Sequence, residues 1–471
     1  MLNFADVVEA LTGIKLENSP LVISEAVIDS RLAIPASMFI AIPGERADGH
    51  NFIAEAFKRG SSIALVQKDL PEDLPVLDLR GLTTESKISI PETPFCIRVD
   101  DTLSALQKIA GFWRSKFNVR VIGITGSVGK STTKELIAEV LSQRYRTLKN
   151  IGNLNNEIGL PLTLLRLGEG YQRAVLEMGF YVPGEIDFLC GLAKPVIGVV
   201  TNIGTVHAER AGSQEEIARG KSELVAALPE DGLAILNYDD PWVKPMAEKT
   251  KARVFYYGLD PKADLWADNI IGLGLKGIRF NLHYRKETIH IRIPLIGRHS
   301  VHTALRAAAV GLSEGLTWGE ILTGLQYGHS QLRLMAVNTE NGALLLDDTY
   351  NSSPESTMAA LNLLEEMDGK KIAVLGDMLE LGQYEKQGHE MVGVRAAQVV
   401  DQLIAVGEKA KMIADAAFNA GLPKKRILWV ESVDSATQTL RETLQAKDVV
   451  LVKGSHSLRM DRIISELEAA S

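Results

Sequence analysis

Thr125-Gly126-Ser127-Val128-Gly129-Lys130-Ser131-Thr132 carries residue types suited to holding a nucleoside triphosphate. Two glycines let the backbone come close to an anion, so that successive N–H groups can converge on a phosphate. Lys130 adds a point charge for a β- or γ-phosphate, and the Ser131 hydroxyl can hold Mg²⁺. The full Walker pattern has a glycine where this chain has Ile124, which makes the loop a shortened variant. A plain glycine turn before a helix would use some of the same residues, but Gly-Lys-Ser between strand and helix favours phosphate. Glu177 and His207 are the next candidates, because a carboxylate and an imidazole beside a triphosphate are reasonable Mg²⁺ ligands. Taken singly, each is more often an ordinary polar residue at a strand end.

The elements around these residues can be read from periodicity. Val119, Val121, Ile122 and Ile124 form a short apolar strand before the loop, and Leu136, Ile137, Val140 and Leu141 mark one face of the helix after it. Ala174–Met178 and Val196–Val200 are two more strands, ending near Glu177 and before His207. Ligands of parallel α/β sheets lie beyond the carboxyl ends of the strands, which puts Glu177 and His207 on the rim of Lys130. Ser213-Gln214-Glu215-Glu216 is a capping box that starts a helix near Gln214. Its apolar face holds Ile217, Leu224, Val225 and Leu228, with Lys221 in the middle. Such a lysine usually snorkels outward. The alternative is that it faces the site, where desolvation makes its amine chemically modifiable.

Between these landmarks, Asn150 to Pro161 reads as a loop, with Asn153, Asn155 and Asn156 able to bind a polar substrate or to make a surface turn. From Arg253 to Pro294 the pattern alternates, and Ile278–Tyr284 with Ile289–Ile293 reads as an antiparallel hairpin. Gly297-Arg298-His299 then opens an alanine-rich helix, Thr303–Leu312, whose N-terminus could face the nucleotide.

The ends of the chain read as two further units. In residues 1–98, Ser30, Arg31 and the loop from Gly44 through Asp48, Gly49 and His50 to Asn51 could grip an anionic ligand or be solvated turns. Residues 329–471 alternate strand and helix like a Rossmann-type parallel sheet, with strands at Ala343–Leu346, Lys371–Leu375, Gln402–Val406, Arg426–Val430 and Asp448–Val452. No Gly-x-Gly-x-x-Gly follows the first of these, so a dinucleotide site is not expected. Its polar strand ends, Asp347 to Pro354, Gly376-Asp377-Met378 and Lys453 to His456, could each be a capped turn; together they suggest one binding surface.

A chain of 471 residues is too long for one core. The fold class expected is therefore α/β with three domains. They are a small α/β N-terminal domain (1–98), a central P-loop-type parallel-sheet ATPase domain (99–328) and a C-terminal Rossmann-like domain (329–471). The net charge of −8 gives no footprint for nucleic acid. Cys96 and Cys190 are too few for a disulfide framework, and no apolar run reaches membrane-spanning length. The N-terminus lacks the basic start of a signal peptide. A cytoplasmic monomer with no nucleic-acid partner is expected.

Over nearly its whole length the chain resembles the Mur ligases, the ATP-dependent amide-forming family of peptidoglycan synthesis. Thr125 to Thr133 resembles the family's phosphate loop, and Asn153 to Pro161 its Asn-x-Asn-Asn-x-x-Gly-x-Pro segment. Glu177-Met178-Gly179, Asn202-Ile203-Gly204 with His207, and Gly220-Lys221-Ser222-Glu223 are similar too. Asp347 to Pro354, followed by Gly376-Asp377-Met378 and Glu380-Leu381-Gly382, is most similar to the member that adds D-alanyl-D-alanine to the UDP-N-acetylmuramoyl tripeptide. The Asp-Asn-Pro-Arg sequence of the diamino-acid-adding ligase is absent.

The resemblance implies roles for particular residues. Thr125, Gly126, Ser127, Val128, Gly129, Lys130, Ser131 and Thr132 would bind ATP, with His299, Arg333 and Asp348 also approaching it. Ser131, Glu177 and His207 would hold Mg²⁺, and Lys221, carrying a CO₂-derived carbamate, would be a further metal ligand. Lys130, Glu177, His207 and Lys221 would form the catalytic set. Ser30, Arg31, Gly44, Asp48, Gly49 and His50 would hold the uridine nucleotide, while Asn153, Asn155, Asn156, Tyr350 and Asn351 would also contact substrates. The chain departs from the family at Ser300 and Thr303 (asparagines there), Leu332 (glycine), Ser353 (asparagine) and His456 (arginine).

Overall fold

Strand, loop and helix follow one another around Lys130 as the periodicity predicts. The computed structural model describes residues 1–16, 21–44, 47–70, 74–82, 86, 88–206, 208–327 and 335–469. In it, Arg120–Thr125 is a strand buried from Val121 onward, and Lys130–Ser142 is a helix whose Leu136, Ile137, Val140 and Leu141 are inaccessible to solvent. Strands buried on both faces need apolar residues at every position, which is why such segments read as continuous runs.

The chain divides into two compact units. The first comprises Met1–Gly123, Tyr145–Gly179 and Glu185–Val196. It carries a parallel sheet in the order Ala26–Val27, Met38–Ile40, Ile63–Val66, Phe95–Arg98 and Val76–Asp78. The opening helix Phe4–Thr12 begins with a reciprocal cap. Asn3 Oδ1 accepts from the Asp6 amide at 2.9 Å, and Asp6 Oδ2 accepts from the Asn3 amide at 3.0 Å. Phe4 packs edge-on against Phe95 with ring centroids 5.6 Å apart. Arg114, buried on the helix Thr102–Ser115, donates to the carbonyls of Ala193, Phe117 and Val119, so its fork ties chain segments together without a carboxylate.

The second unit comprises Ile124–Arg144, Phe180–Gly184 and Ile197–Ser471. Its larger sheet has the order Glu287–Ile293, Ile278–Tyr284, Leu265–Gly272, Arg253–Gly258, Leu233–Asn237 and Ile197–Val200; in the first unit Thr147–Lys149 pairs in parallel with Arg173–Glu177. Ile197–Val200 through Leu265–Gly272 pair in parallel, and Ile278–Tyr284 and Glu287–Ile293 add an antiparallel extension. The expected hairpin is therefore present, turning at Arg285 and Lys286 between Tyr284 and Glu287. Arg253–Gly258, where alternation seemed to begin, instead belongs to the parallel part.

A third sheet runs Met335–Asn338, Leu344–Asp348, Val449–Lys453, Lys371–Gly376, Gln402–Val406 and Ile427–Val430. Its first pair is antiparallel and the rest are parallel. Five of these strands follow the expected apolar runs. Met335–Asn338 does not: it is a short edge strand, paired on one side and with largely exposed side chains. Among the described residues no helix is long and apolar enough to cross a membrane.

One element corrects the sequence reading. The asparagine-rich stretch ends in a helix, Gly159–Leu165, and is not loop throughout. Asn156 Oδ1 accepts from the amides of Ile158 and Gly159, at 3.3 and 2.9 Å, and so starts the turn. Pro161 is accommodated because first-turn N–H groups have no intrahelical acceptor.

Candidate functional site

The phosphate loop is fastened to the segment that follows the strand Ile197–Val200. Ser127 N donates to Asn202 O at 2.9 Å, Val128 N to Asn202 Oδ1 at 2.8 Å, and Gly204 N to Ser127 Oγ at 2.8 Å. Thr201 Oγ1 donates to Val128 O at 2.8 Å. That threonine leaves no room beside Gly126, whose φ is +143° and where a Cβ would stand 1.8 Å from Thr201 Oγ1. Gly129, at φ +81°, precedes the helix, and the Lys130 ammonium donates to the carbonyls of Gly126 and Ser127 at 2.8 and 3.2 Å. The result is a helix N-terminus with a lysine on its own loop, chemically suited to an anion.

Lys221 lies on the helix Gln214–Ala226, which Ser213 caps by accepting from the Glu216 amide at 3.2 Å. Ile217, Leu224 and Val225 are fully buried. Lys221 does not snorkel: it is 1% exposed, with its ammonium 4.6 Å from the centroid of the Phe180 ring. Phe180 also packs on Gly220, where a Cβ would approach its ring to 2.0 Å. Phe180 directly follows Glu177-Met178-Gly179, but its part in enclosing the lysine had no signal in the sequence.

His299 is exposed and folds over Gly297, immediately before the helix Ser300–Ser313. The two departures beside it are engaged within the fold. Ser300 Oγ donates to Ile296 O at 2.7 Å, and Thr303 Oγ1 accepts from Arg306 Nη2 at 2.8 Å.

The third sheet gathers a separate polar group at its strand ends. Lys453, 1% exposed, pairs with Asp348 at 2.8 Å and donates to Asn351 O at 2.8 Å. Tyr350 is exposed, and its ring meets His456 edge-on with centroids 6.2 Å apart. Ser353 caps the helix Pro354–Glu365 by accepting from the Ser356 amide, a task the family's asparagine could also perform. Glu355 Oε1 accepts from Thr205 N at 3.0 Å, which ties this helix to the segment bounding the phosphate loop. Asp348 was singled out from the sequence, but Lys453 stood only within a polar segment. Their pairing is visible only in the fold.

In the first unit, Glu177 is buried and closely held. Its Oε1 accepts from Asn155 Nδ2 at 3.0 Å, its amide donates to Asn150 Oδ1 at 3.0 Å, and its carbonyl accepts from Asn150 Nδ2 at 3.0 Å. Asn150 was absent from the expected site set, although it fixes the backbone of Glu177. Asn155 orients the carboxylate, Asn156 starts a helix, and Asn153 is exposed.

At the first sheet, Ser30 Oγ donates to Glu55 Oε2 at 3.0 Å, and exposed Arg31 pairs with Asp29 at 2.7 Å. Gly44 N donates to Ala47 O, and Gly49 is packed so closely on Ile42 that a Cβ would lie 2.8 Å from its nitrogen. His50 is used at both ring nitrogens: Nδ1 meets Asp48 Oδ1 at 2.6 Å, and Nε2 accepts from the Gln67 amide at 3.0 Å. Hydrogen bonds from Lys68 and then His50 hold the Asp48 carboxyl well below the usual carboxylate range. A depressed native pKa contributes stability above the unfolded value of about 4, lost as pH falls through it toward the native value. Asp48→Asn is therefore expected to lower the melting midpoint at pH 7 by about 2–4 °C, solvent screening included. The gap to wild type should close below pH 4 in a calorimetric pH series; a pH-independent gap would contradict the assignment. His207 and Arg333 lie outside the described residues, as does Leu332.

This fold and loop match known families. The Mur ligase middle domain matches residues 124–311, and the Mur ligase, glutamate ligase domain matches residues 332–456. The UDP-N-acetylmuramoyl-tripeptide--D-alanyl-D-alanine ligase of Bacillus subtilis (strain 168) is 35% identical over 451 residues, covering 95% of this chain and 93% of that protein. The chain belongs to the Mur ligase family. Among solved structures, MurF from Acinetobacter baumannii superposes with a TM-score of 0.83 at 29% identity, covering 99% of this chain and 98% of that one. MurF ligase from Thermotoga maritima, in complex with ADP, gives 0.78 at 26% identity, covering 96% and 98%.

Proposed function

We propose that this protein is an ATP-dependent ligase that adds D-alanyl-D-alanine to UDP-N-acetylmuramoyl-tripeptide in the cytoplasm, acting as a monomer. The observation that carries this reading is full-length similarity to D-alanyl-D-alanine ligases together with a phosphate loop built around Lys130. Residues 1–98 would hold the uridine nucleotide through Ser30, Arg31 and the Gly44–His50 loop. Residues 99–328 would hold ATP through Thr125 to Thr132 and His299. Residues 329–471 would approach ATP through Arg333 and Asp348 and present Tyr350 and Asn351 to the dipeptide. Asn153, Asn155 and Asn156 would line the substrate side.

A carboxylate acylates poorly at neutral pH because its leaving group would be oxide. Its oxygen therefore attacks the γ-phosphorus of ATP, the bond to the β-phosphate oxygen breaks, and ADP leaves behind an acyl phosphate. The dipeptide's neutral amine adds to the acyl carbon, and the tetrahedral intermediate collapses with loss of phosphate and a proton to give the amide. The chain's part is to position the reactants and neutralise charge, with Lys130 against the phosphates. Water excluded from the site spares the acyl phosphate.

The Ser131 hydroxyl, the Glu177 carboxylate, held by Asn155, and the His207 imidazole are the residues that would hold Mg²⁺, each of a type that can serve as a ligand beside a triphosphate. A carbamate on Lys221 would complete the set. In forming one, the ammonium first gives up a proton, the freed amine nitrogen bonds to the carbon of CO₂ and a second proton leaves, so a cation becomes an anionic oxygen donor. Mg²⁺ held by these residues would supply charge neutralisation for the triphosphate.

The test is phosphate release from ATP with UDP-N-acetylmuramoyl-tripeptide, comparing D-Ala-D-Ala, a diamino acid and no amine. Release with D-Ala-D-Ala alone is expected. Release with the diamino acid would keep the ligase and move the substrate. Silence from folded protein would leave a non-catalytic nucleotide-binding member of the family.

A further inference from the structure

Arg306 is a buried cation that no carboxylate among the described residues pairs with. It lies on the helix Ser300–Ser313, is 4% exposed, and makes no ion pair with any described residue. Its fork is held by neutral oxygens: Nε donates to Thr133 Oγ1 at 2.9 Å, Nη1 to Tyr257 OH at 3.2 Å, and Nη2 to Thr303 Oγ1 at 2.8 Å. The carboxylates whose charge reaches Tyr257, one of these partners, are otherwise engaged. Asp239 pairs with His302 at 2.9 Å, and Asp240 accepts from the amides of Ile203, Trp242 and Val243. A charge taken out of water is costly unless paired, so a guanidinium in this setting calls for an anion.

Its location says which anion. Nη2 lies 3.4 Å from where a Cβ on Gly129 would stand, and Thr133 belongs to the first turn of the helix that the phosphate loop opens. The guanidinium thus packs against the loop at Gly129. Thr303, which stands where the family has an asparagine, is the residue that accepts from it.

We propose that Arg306 is a positioning residue of the phosphate site, a buried cation against the loop whose counter-charge is the bound nucleotide's phosphates. This rests on the nucleotide reading of the loop. The charge acts through the loop backbone and adds to that of Lys130, while the fork holds Thr133 and Thr303 in register with Gly129.

Charge and hydrogen bonding can be separated with Arg306→Lys, which keeps the charge, and Arg306→Gln, which keeps polar contacts and removes it. ADP binding to the full chain is measured by calorimetry in EDTA, so that no metal contributes, and ADP-induced shifts of the melting midpoint are recorded beside it. Arg306→Gln should bind ADP about tenfold more weakly, with a smaller midpoint shift, while Arg306→Lys stays near wild type. Equal ADP affinity in wild type and Arg306→Gln, or a Lys variant as weak as the Gln variant, would overturn the proposal alone. If Arg306→Gln did not fold, Arg306→Lys would decide: retained affinity supports the charge, and a tenfold loss refutes it. Wild-type protein that bound no ADP would remove the nucleotide reading itself.

Discussion

Lys130→Met is expected to reduce turnover by about 10³-fold while leaving the protein folded. The size follows from electrostatics. Two unit charges about 4 Å apart near a protein surface interact by about 4 kcal/mol, and most of that would be felt where charge shifts between the γ-phosphate and its leaving oxygen. Lys130 already lies on the loop, donating to the carbonyls of Gly126 and Ser127, so the ammonium starts within reach of anything the loop binds. Removing it should not unfold the loop, because Asn202, Thr201 and Ser127 fasten it independently. Phosphate release under saturating substrates, with circular dichroism and a melting curve beside it, is the measurement. Turnover within tenfold of wild type would mean that the loop binds its ligand without this charge.

The second large effect concerns Lys221. Two accounts of a lysine buried against Phe180 predict different outcomes. As a packing element, its contribution is a cation–π contact of about 1–2 kcal/mol with the volume its methylenes fill, and Met would replace most of that volume. Stability would then fall in Lys221→Ala, recover in Lys221→Met, and turnover would follow stability. As the amine that takes up CO₂, it cannot be replaced by either residue. We expect both variants to lose turnover by about 10³-fold although Lys221→Met melts near wild type, the range expected when charge neutralisation of the phosphates is lost. A second readout separates the accounts in wild-type protein: rigorous removal of CO₂ should depress turnover, and added bicarbonate should restore it. Indifference to CO₂ together with active Lys221→Met would leave the lysine a packing element.

Much of the fold was legible because its signals are local. The apolar runs before Gly126 and in residues 329–471 are parallel strands that must be apolar throughout, and the helix after Lys130 shows its buried stripe directly. Ser213 capped its helix where the spacing predicted. The edge strand Met335–Asn338 and the helix Gly159–Leu165 were not legible. One is a short edge strand with largely exposed side chains, and the other is started by an asparagine side chain in a segment whose composition reads as loop.

The site divides along the same line. Gly126, Gly129, Lys130 and Ser131 were legible from order and spacing, because a strand, a turn and a helix N-terminus are contiguous in the chain. Lys221 was ambiguous, since a helical face tells which residues are grouped but not whether a cation among them reaches solvent. Only the tertiary structure closed Phe180 over it, joined Lys453 to Asp348, held Glu177 between Asn150 and Asn155, and set Arg306 beside Gly129 among neutral oxygens. Each of these is a contact between residues distant in the chain, and the desolvation that gives a buried charge its consequence depends on everything packed around it. By itself the sequence determined which groups could bind a phosphate; long-range packing decided which charges were buried and what each of them met.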